Sequence, residues 1–443
     1  MRQSYPLANI SRLVLIILGA VCAFAFATQP AFLPPPPPGQ PSPEVANTRY
    51  TTRLFGETPA EVAVSVTRHA FTASLPPYDP RQQSNASDRP WSVILVTPDD
   101  PVAAISAAQL IQFPNNAPIL FVNADSIPEV TRQEIERLGP TGVARANGIQ
   151  VFAVGEAASP AVLGELEAMS LKTRSITAPN AYALAERIDA SYGRIQFPDT
   201  GVTTMMDNSA DGGNGVMNVF IGNAQEPKFM LPIVAWASHL PSSILWASDA
   251  DTLPAATIAA LARRNGNATI YVMGGPDQIS RALSKRLAQY GAVARVTTDD
   301  STASNIPLVP TPVTTSVAFA RMWDPVGLVG WNMVGSGHGF TVVNSDDWTS
   351  VLGAAILSSR GFHAALLLTD NADTISKPVA DYLNAVRPTF LSSPAEGPYN
   401  MLYVVGNYES ISWKAQIELN ISQEMTNRRD IGTNKGSTYL HTH

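Results

Sequence analysis

Short apolar runs alternate along the chain with longer segments in which apolar residues recur four positions apart. The runs are too short for helices and predict buried strands, whereas the four-residue spacing predicts helices with one face on the core. Near the start, runs at 92–97 and 118–122 enclose a helical segment at 102–112. Strands that alternate with helices at this distance are typical of parallel sheets with right-handed crossovers. The pattern therefore predicts an α/β fold.

The same order of strands and helices occurs three times. The predicted strands are residues 92–97, 118–122 and 151–155, then 217–222, 244–247 and 269–275, then 340–344, 364–368 and 401–406. A further short apolar segment closes the first two copies, at 174–178 and 292–298. We therefore predict three tandem α/β repeats at 50–173, 174–305 and 306–425, followed by a flexible tail at 426–443.

A short polar motif follows the second strand in every copy. It reads NADSIP from Asn123, DADTLP from Asp249 and NADTIS from Asn371. Its aspartates have two interpretations, either as ligand or metal contacts or as parts of a turn between strand and helix. We favour the turn, because Asn, Asp and Ser stabilise such turns through local hydrogen bonds.

Several helix starts carry capping signals. The stretch TPAE from Thr58 combines a capping box with proline at the first helical position, and it predicts a helix to about residue 71. In the recurring motif a hydroxyl side chain precedes each helix, so Ser126, Thr252 and Thr374 are predicted N-caps. Of these, only Ser126 has a glutamate three residues later, Glu129, to complete a capping box.

The N-terminal region predicts export. Residues 13–27 are apolar without a break, follow Arg2 and Arg12, and end in small residues, as in a secretory signal with its cleavage site. An uncleaved membrane anchor that continues to residue 33 is an equally open alternative. We therefore predict a signal peptide or membrane anchor at 1–28. A proline-rich stalk or linker follows at 29–49, because consecutive prolines favour an extended, semi-rigid conformation.

Composition excludes some classes of partner and chemistry. Charged residues make up 15% of the chain and its formal net charge is -7, whereas nonspecific binding to nucleic acid requires a basic surface. The one cysteine, Cys22, lies in the N-terminal apolar segment, so the rest of the chain has no disulfide and no thiol nucleophile. We therefore predict no nucleic-acid partner.

Common catalytic and metal-binding motifs are absent from the sequence. It contains no GxSxG, HExxH or Walker motif, and its six histidines form no metal-like pattern with cysteine or acidic residues. Residues 207–212 match the first half of a calcium loop. The twelfth position is Asn218 rather than glutamate, so a glycine-rich connection is the simpler interpretation. We therefore predict no metal, no cofactor and no enzymatic activity.

The recurring unit resembles the type 2 cell wall binding repeats of bacterial surface proteins. The matching stretches are RLFG from Arg53, the alanine-rich helix around Ala103 and Ala107, the run APIL from Ala117 that leads to Ser126-Ile127-Pro128, and third strands that end at Gly155 and Gly275. The resemblance covers nearly everything after the proline-rich segment. It implies three repeats in a pseudo-threefold arrangement and a noncatalytic protein that holds to the cell wall, in some members through anionic wall polymers.

Polar residues at the carboxyl ends of strands are the candidate ligand-binding groups, since ligands of open parallel sheets bind there. After the first strands these residues are Thr97, Asp99 and Asp100, then Asn223, Gln225 and Glu226, then Asn344, Asp346 and Asp347. After the third strands they are Glu156, Pro276 with Asp277, and Asn407. Binding of cell-wall or surface polysaccharide by an exported envelope protein is therefore our first hypothesis.

Two other functions remain open. No separate effector domain accompanies the repeats in this sequence, which favours a membrane-tethered structural surface protein that contacts itself or other envelope proteins. The third hypothesis is an enzyme that uses the loop at Asp99 and Asp100. It is disfavoured because the polar strand-end residues do not make up a matched acid, base and electrophile.

Overall fold

The computed structural model of the protein describes residues 46–74, 88–192, 194–197, 201–204, 215–296 and 309–428. The described residues from Asn47 onward belong to one compact unit. The predicted signal or anchor, most of the proline-rich segment and the half calcium loop at 207–212 lie outside the described residues. In the described ranges, no helix has both the length and the apolar character needed to cross a membrane.

Among the described residues, the strands form three parallel sheets of four strands, one two-stranded parallel sheet and one antiparallel ribbon. In chain order the strands are β1 (Thr51–Leu54), β2 (Val93–Val96), β3 (Ile119–Phe121), β4 (Val151–Val154), β5 (Thr173–Ile176), β6 (Arg194–Phe197), β7 (Gly201–Thr204), β8 (Asn218–Asn223), β9 (Ser243–Ala247), β10 (Ala268–Met273), β11 (Gly291–Val296), β12 (Gly339–Asn344), β13 (Ala365–Thr369), β14 (Thr389–Phe390), β15 (Met401–Val405) and β16 (Thr426–Asn427). The first sheet has the order β3-β2-β4-β5, the second β9-β8-β10-β11 and the third β13-β12-β15-β1. The predicted α/β fold with parallel sheets is confirmed.

Twelve α-helices connect and cover the strands within the described part of the chain. They are α1 (Pro59–Ala70), α2 (Pro101–Ala107), α3 (Glu129–Leu138), α4 (Pro160–Ala168), α5 (Ala181–Ala190), α6 (Leu231–His239), α7 (Ala255–Ala262), α8 (Arg281–Leu287), α9 (Pro312–Arg321), α10 (Trp348–Ala354), α11 (Lys377–Ala385) and α12 (Trp413–Ser422). Short 3-10 turns at 108–110 and 355–358 extend α2 and α10.

The apolar runs form strands because helices cover both faces of each sheet. β2 reads VILV and β13 reads ALLLT, and every residue of both strands is buried. Strands that are apolar without alternation are typical of parallel sheets buried on both faces. A single hydrophobic cluster includes residues of all three sheets.

The strand that completes the third sheet comes from the start of the chain. β1 pairs in parallel with β15, with Thr51 opposite Leu402 and Leu54 opposite Val405. In the other two sheets, the strand at this edge follows its neighbour in sequence, with β5 beside β4 and β11 beside β10. β1 is not apparent from the sequence pattern, because its four residues, TTRL, include one apolar side chain. Backbone hydrogen bonds therefore join the beginning of the folded chain to its end.

The helices that follow the edge strands β1, β5 and β11 each pack on two sheets. α5 contacts α2 beside the first sheet and α7 and β9 of the second, while α1 contacts α10 beside the third sheet and α3 and β3 of the first. α9 contacts α6 beside the second sheet and α11 and β13 of the third. At the first of these boundaries, Trp246 is fully buried and donates from Nε1 to Oγ of Ser106, at 2.9 Å. The three sheets are therefore connected in a closed cycle of helix contacts.

The recurring polar motif forms a turn that is held by its own side chains. Oδ1 of Asn371 accepts hydrogen bonds from the amides of Asp373 and Thr374, at 2.8 and 3.1 Å. Oδ1 of Asp249 accepts from the amide of Asp251, at 2.8 Å. These are the local bonds expected of a turn between strand and helix.

The N-cap prediction for this motif is wrong, although the one for the first helix is confirmed. The helices after the motif begin at Glu129, Ala255 and Lys377, and their N-cap residues make no side-chain cap hydrogen bond. The hydroxyl residues Ser126, Thr252 and Thr374 lie two positions before those N-caps, inside the turn. In α1, by contrast, the capping box between Thr58 and Glu61 is complete.

Candidate functional site

β2, β8 and β12 each lead to a polar residue, and these three residues hold the same register position in their sheets. The sheets pair Leu95 with Ala153, Ile221 with Val272, and Val342 with Val404. Two residues beyond the first member of each pair stand Thr97, Asn223 and Asn344. Three of the predicted candidates are therefore the same structural position in three sheets.

In the second and third sheets, the asparagine at this position links two loops. Nδ2 of Asn223 donates to the carbonyl oxygen of Gln278, at 3.0 Å, and Nδ2 of Asn344 donates to that of Ser410, at 2.8 Å. The two side-chain oxygens accept from the amides two residues further on, at 2.9 and 3.0 Å. Both asparagines are buried. Asn223 therefore ties the end of β8 to the loop after β10, and Asn344 ties the end of β12 to the loop after β15.

Thr97 makes no such link in the first sheet. The residue is only 6% exposed, and within the described part of the chain its hydroxyl has no hydrogen-bond partner. Threonine is shorter than asparagine and lacks its amide donor. The loops that follow β2 and β4 are therefore not tied by this side chain.

The glycines that follow β4, β10 and β15 differ in how much free space surrounds them. Gly155, Gly274 and Gly406 all have positive φ. A Cβ atom on Gly274 would lie 3.0 Å from neighbouring side chains, and one on Gly406 would lie 2.6 Å from Oγ of Ser410. A Cβ atom on Gly155 would meet only Cδ2 of Leu184, at 3.6 Å. The edge of the first sheet is therefore open where the other two are filled.

A cleft of about 410 Å³ lies at this edge of the first sheet. The ends of β2 and β4 form its base, and the starts of α2 and α5 form its walls. Its lining consists of Val96, Thr97, Asp100, Ala103, Ala104, Val154, Gly155, Glu156, Thr177, Ala178, Pro179, Asn180, Ala181 and Leu184. The cleft therefore brings together three of the predicted candidates, Thr97, Asp100 and Glu156.

Two of the polar lining residues stand at helix starts. Oδ1 of Asp100 accepts from the amides of Val102 and Ala103, at 2.9 and 3.0 Å. Oδ1 of Asn180 accepts from the amide of Ala183, at 3.0 Å. Within the described residues, the second polar atom of each side chain, Oδ2 of Asp100 and Nδ2 of Asn180, has no partner. Capping thus fixes the two side chains and leaves one polar atom of each for a ligand.

The remaining lining residues set the character of the cleft. Glu156 is exposed at its edge, and in the described ranges its carboxylate has no ion-pair partner. Ala103, Pro179 and Ala181 supply accessible apolar surface, and no Lys, Arg or His lines the cleft. Small-molecule sites typically combine a few placed polar groups with apolar walls in roughly 300–1,000 Å³. The arrangement suits a ligand that carries hydroxyl groups.

The other predicted candidates lie outside this cleft. Asp347 caps α10 by accepting from the amide of Ser350 at 3.2 Å, and Oδ1 of Asp346 lies 2.5 Å from Nζ of Lys228. The side chain of Gln278 donates to the carboxylate of Glu226, at 3.3 Å. The exposed candidates are Asp99, Gln225, Pro276 and Asp277, and Asn407 is partly exposed. Among the described residues, no group of three or more His, Cys, Asp or Glu side chains is placed to hold a metal ion.

Residues 177–181 were not predicted to belong to the site. They connect β5 to α5, and they reach the cleft because β5 lies beside β4 in the first sheet. The sequence signal was a short polar and proline-containing connection, TAPN, directly after an apolar segment. Its place became evident only from the order of the strands.

The molecule is an α/β protein with three four-stranded parallel sheets, and this architecture has counterparts among solved structures. It is similar to Cwp6 from Clostridium difficile, with a TM-score of 0.57 and 18% identity over 81% of this chain and 46% of that one. It is also similar to Cwp8 from Clostridium difficile, with a TM-score of 0.57 and 15% identity over 85% of this chain and 52% of that one. The chain thus spans about half the length of these proteins. No family model and no curated protein matches the sequence.

Proposed function

We propose that this chain is an exported, noncatalytic protein of the cell envelope that binds cell-wall or surface polysaccharide in the cleft of the first sheet. The observation that carries the proposal is the cleft itself, with the unpartnered hydroxyl of the buried residue Thr97 at its base. The likeness in fold to the cell wall proteins Cwp6 and Cwp8 supports a place at the cell surface. The apolar N-terminal segment at 13–33 supports export, with the segment either cleaved or kept as a membrane anchor.

The chemistry of the cleft supports a saccharide. Sugar hydroxyls donate to carboxylate oxygens and accept from amide and hydroxyl donors, and the cleft offers Asp100 and Glu156 as acceptors and Asn180 as a donor. The apolar surface from Ala103, Pro179 and Ala181 can cover the carbon-bound faces of a ring. The same residues do not make up an acid, base and electrophile at one reacting atom, so we propose binding rather than catalysis.

We also propose that the chain is built from three repeats close to 50–173, 174–305 and 306–425, in a pseudo-threefold arrangement. The shared strand order of the three sheets and the closed cycle of helix contacts support this division. In this arrangement β1 is contributed by the first repeat to the sheet of the third. In this division residues 426–443 follow the last repeat, and the first two of them form β16, which pairs with β14.

Sedimentation with envelope material tests the proposed function. The purified chain is mixed with native envelope and with wall stripped of its secondary polymers, and the bound fraction is measured in the pellet. We expect binding to native envelope and loss of binding after stripping. A chain that stays in the supernatant with both materials would contradict the proposal.

A matched pair of variants assigns that binding to the cleft. Asp100→Asn changes the charge of the cleft while it keeps a side chain that can cap α2. Asp347→Asn makes the same change at the cap of α10, outside the cleft. We expect the first variant to weaken sedimentation with native envelope and the second to leave it unchanged. Equal behaviour of the two variants would place the binding site elsewhere.

A structural role is the second candidate, and exposed apolar side chains favour it. Trp323, Val326, Leu328 and Val334 lie in the connection between α9 and β12 and are 47%, 84%, 59% and 64% exposed. Apolar groups clustered in a surface loop are typical of contact regions between proteins. Sedimentation velocity over a range of concentrations tests self-association. An assembly that is lost in Val326→Ser and does not bind envelope would favour this second function.

A further inference from the structure

We infer that the saccharide bound in the cleft of the first sheet carries a free ammonium group, as an amino sugar does, and is not an anionic polymer. This inference rests on the proposed function, because it names the ligand class of the same cleft. Its basis is the acidic lining together with the unpartnered hydroxyl of Thr97 at the base. At the corresponding position of the other two sheets, the side chains of Asn223 and Asn344 are hydrogen-bonded to neighbouring loops.

The ionisable side chains that line the cleft are all acidic. Asp100 and Glu156 are its ionisable lining residues, and no lysine, arginine or histidine lines it. One cation touches the rim, because Nη1 of Arg187 donates to the carbonyl oxygen of Thr177 at 2.7 Å, but this arginine does not line the cleft. Phosphate or carboxylate groups of an anionic polymer would therefore meet repulsion here, whereas an ammonium group would be attracted.

The two carboxylates are free to accept from such a group. Oδ1 of Asp100 is used by two backbone amides, so Oδ2 is the atom available to a ligand. The carboxylate of Glu156 has no partner among the described residues. Hydrogen bonds between an ammonium and a carboxylate are roughly twice as strong as bonds between neutral groups. An amino group placed between these residues would thus be the strongest single contact that the cleft can make.

The unpartnered hydroxyl of Thr97 supplies an independent sign of a ligand. The residue is 6% exposed, lines the cleft and has no partner within the described ranges. A hydroxyl that no protein group satisfies can donate to and accept from a ligand in the cleft. A hydroxyl group of a bound sugar would satisfy Thr97, while Nδ2 of Asn180 could donate to another. The cleft therefore recognises both the hydroxyl groups and the positive charge of one ligand.

Calorimetry with three soluble oligomers of similar length tests this inference on the full chain. They are a glucosamine oligomer, its fully N-acetylated form and an oligogalacturonate, each measured at pH 6 and at two salt concentrations. We expect the glucosamine oligomer to bind at least about tenfold more tightly than the acetylated form, with affinity that falls as salt rises. We expect no binding of oligogalacturonate. Equal affinity for the two sugars would overturn the inference and leave a neutral saccharide site in place.

Variants show whether the preference for the glucosamine oligomer arises in the cleft. Glu156→Gln and Asp100→Asn are each expected to weaken binding of the glucosamine oligomer about threefold to tenfold. Asp99→Asn removes an exposed carboxylate that does not line the cleft, and it should change nothing. An equal loss in all three variants would mean nonspecific attraction to an acidic surface and would overturn the inference.

Two further outcomes separate this inference from the proposed function. If no oligomer binds while the chain still sediments with native envelope, the amino-sugar assignment is wrong and the envelope function stands. If the glucosamine oligomer binds but addition of a chelator abolishes binding, a divalent cation bridges ligand and carboxylates, and the ammonium is not the recognised group. The expected result is binding that a chelator does not change.

Discussion

Nη2 of Arg53 donates to the carbonyl oxygen of Ile411, at 2.7 Å, and so joins the first strand of the chain to the turn before α12. The same guanidinium donates to the carbonyl oxygen of Gly406, at 3.1 Å, and to Oε1 of Gln416, at 2.6 Å. Arg295 holds the same register position in the second sheet and donates to the corresponding loop there. In both sheets an arginine of the edge strand therefore fixes the loop after the third strand.

We expect Arg53→Met to lower the free energy of unfolding by about 3 kcal/mol, because several buried acceptors lose a charged donor. Arg53 is 5% exposed, and burial lowers its pKa to about 10. Chemical denaturation of variant and parent gives the difference. Arg49→Met is the control, because its side chain is 68% exposed and its ion pair with Glu424 is at the surface. The control should change stability by no more than about 0.5 kcal/mol. Equal losses in the two variants would contradict a special role for Arg53.

Removal of β1 should increase local opening of the third sheet. The amide of Leu402 donates to the carbonyl oxygen of Tyr50, at 2.9 Å, and the amide of Gly406 donates to that of Leu54, at 3.1 Å. A chain that begins at residue 58 lacks both acceptors, whereas one that begins at residue 47 keeps them. We expect hydrogen exchange at these two amides to be at least about tenfold faster in the shorter chain. Unchanged exchange in the shorter chain would show that the third sheet does not depend on β1.

The polar residue at the shared register position should matter for stability in the third sheet and not in the first. Asn344→Thr removes a 2.8 Å hydrogen bond to Ser410 and should lower the free energy of unfolding by about 1–2 kcal/mol. Thr97→Val removes a hydroxyl that has no partner in the described structure, and it should change stability by less than about 0.5 kcal/mol. Thermal unfolding of both variants makes the comparison. A larger loss from Thr97→Val would mean that its hydroxyl is engaged within the protein.

Acidification should destabilise the protein through His239. Burial lowers the pKa of this residue to about 4, and the nearby charge of His363 adds to the effect. A histidine in an unfolded chain titrates near pH 6.5, so between about pH 6.5 and 4 the unfolded chain binds a proton that the folded chain does not. Stability is therefore full above this window and falls as the pH falls through it.

The size of this effect can be measured by substitution. Between pH 7 and pH 5, the proton that only the unfolded chain binds lowers the free energy of unfolding by at most about 2 kcal/mol. We expect His239→Gln to lose less stability than the parent chain over the same interval, as measured by chemical denaturation at each pH. Groups that are not in contact with His239 titrate equally in the two proteins and cancel in the comparison. Parallel losses would show that His239 does not carry the effect.

The alternation of apolar runs and helical segments was enough to predict the α/β class and nearly all strands of the three sheets. β2 and β13 carry a strong signal because they are apolar throughout. β1 carries none, because an arginine stands among its four residues and its partner strand is more than three hundred positions away in sequence. Local pattern identifies a strand that is buried on both faces, but it does not identify an edge strand paired at long range.

The candidate site was predictable only in part. The rule that ligands bind at the carboxyl ends of parallel strands led to the strand-end position that Thr97, Asn223 and Asn344 share. It did not distinguish the threonine, which lines an open cleft, from the two asparagines, which are engaged in linking loops. That distinction depends on hydrogen bonds to distant loops. The contribution of Asn180 was hidden for the same reason, since it depends on the order of strands in the sheet.

The position of β1 has a consequence for the time course of synthesis. Arg53 and its acceptor Ile411 are separated by 358 residues. At about 5–20 residues per second, roughly 20–70 s pass between the emergence of β1 from the ribosome and that of its partner. During this interval the newly made chain holds a strand with no neighbour to pair with, and chaperones protect such strands from aggregation. The third sheet therefore cannot be completed until nearly the whole chain has been made.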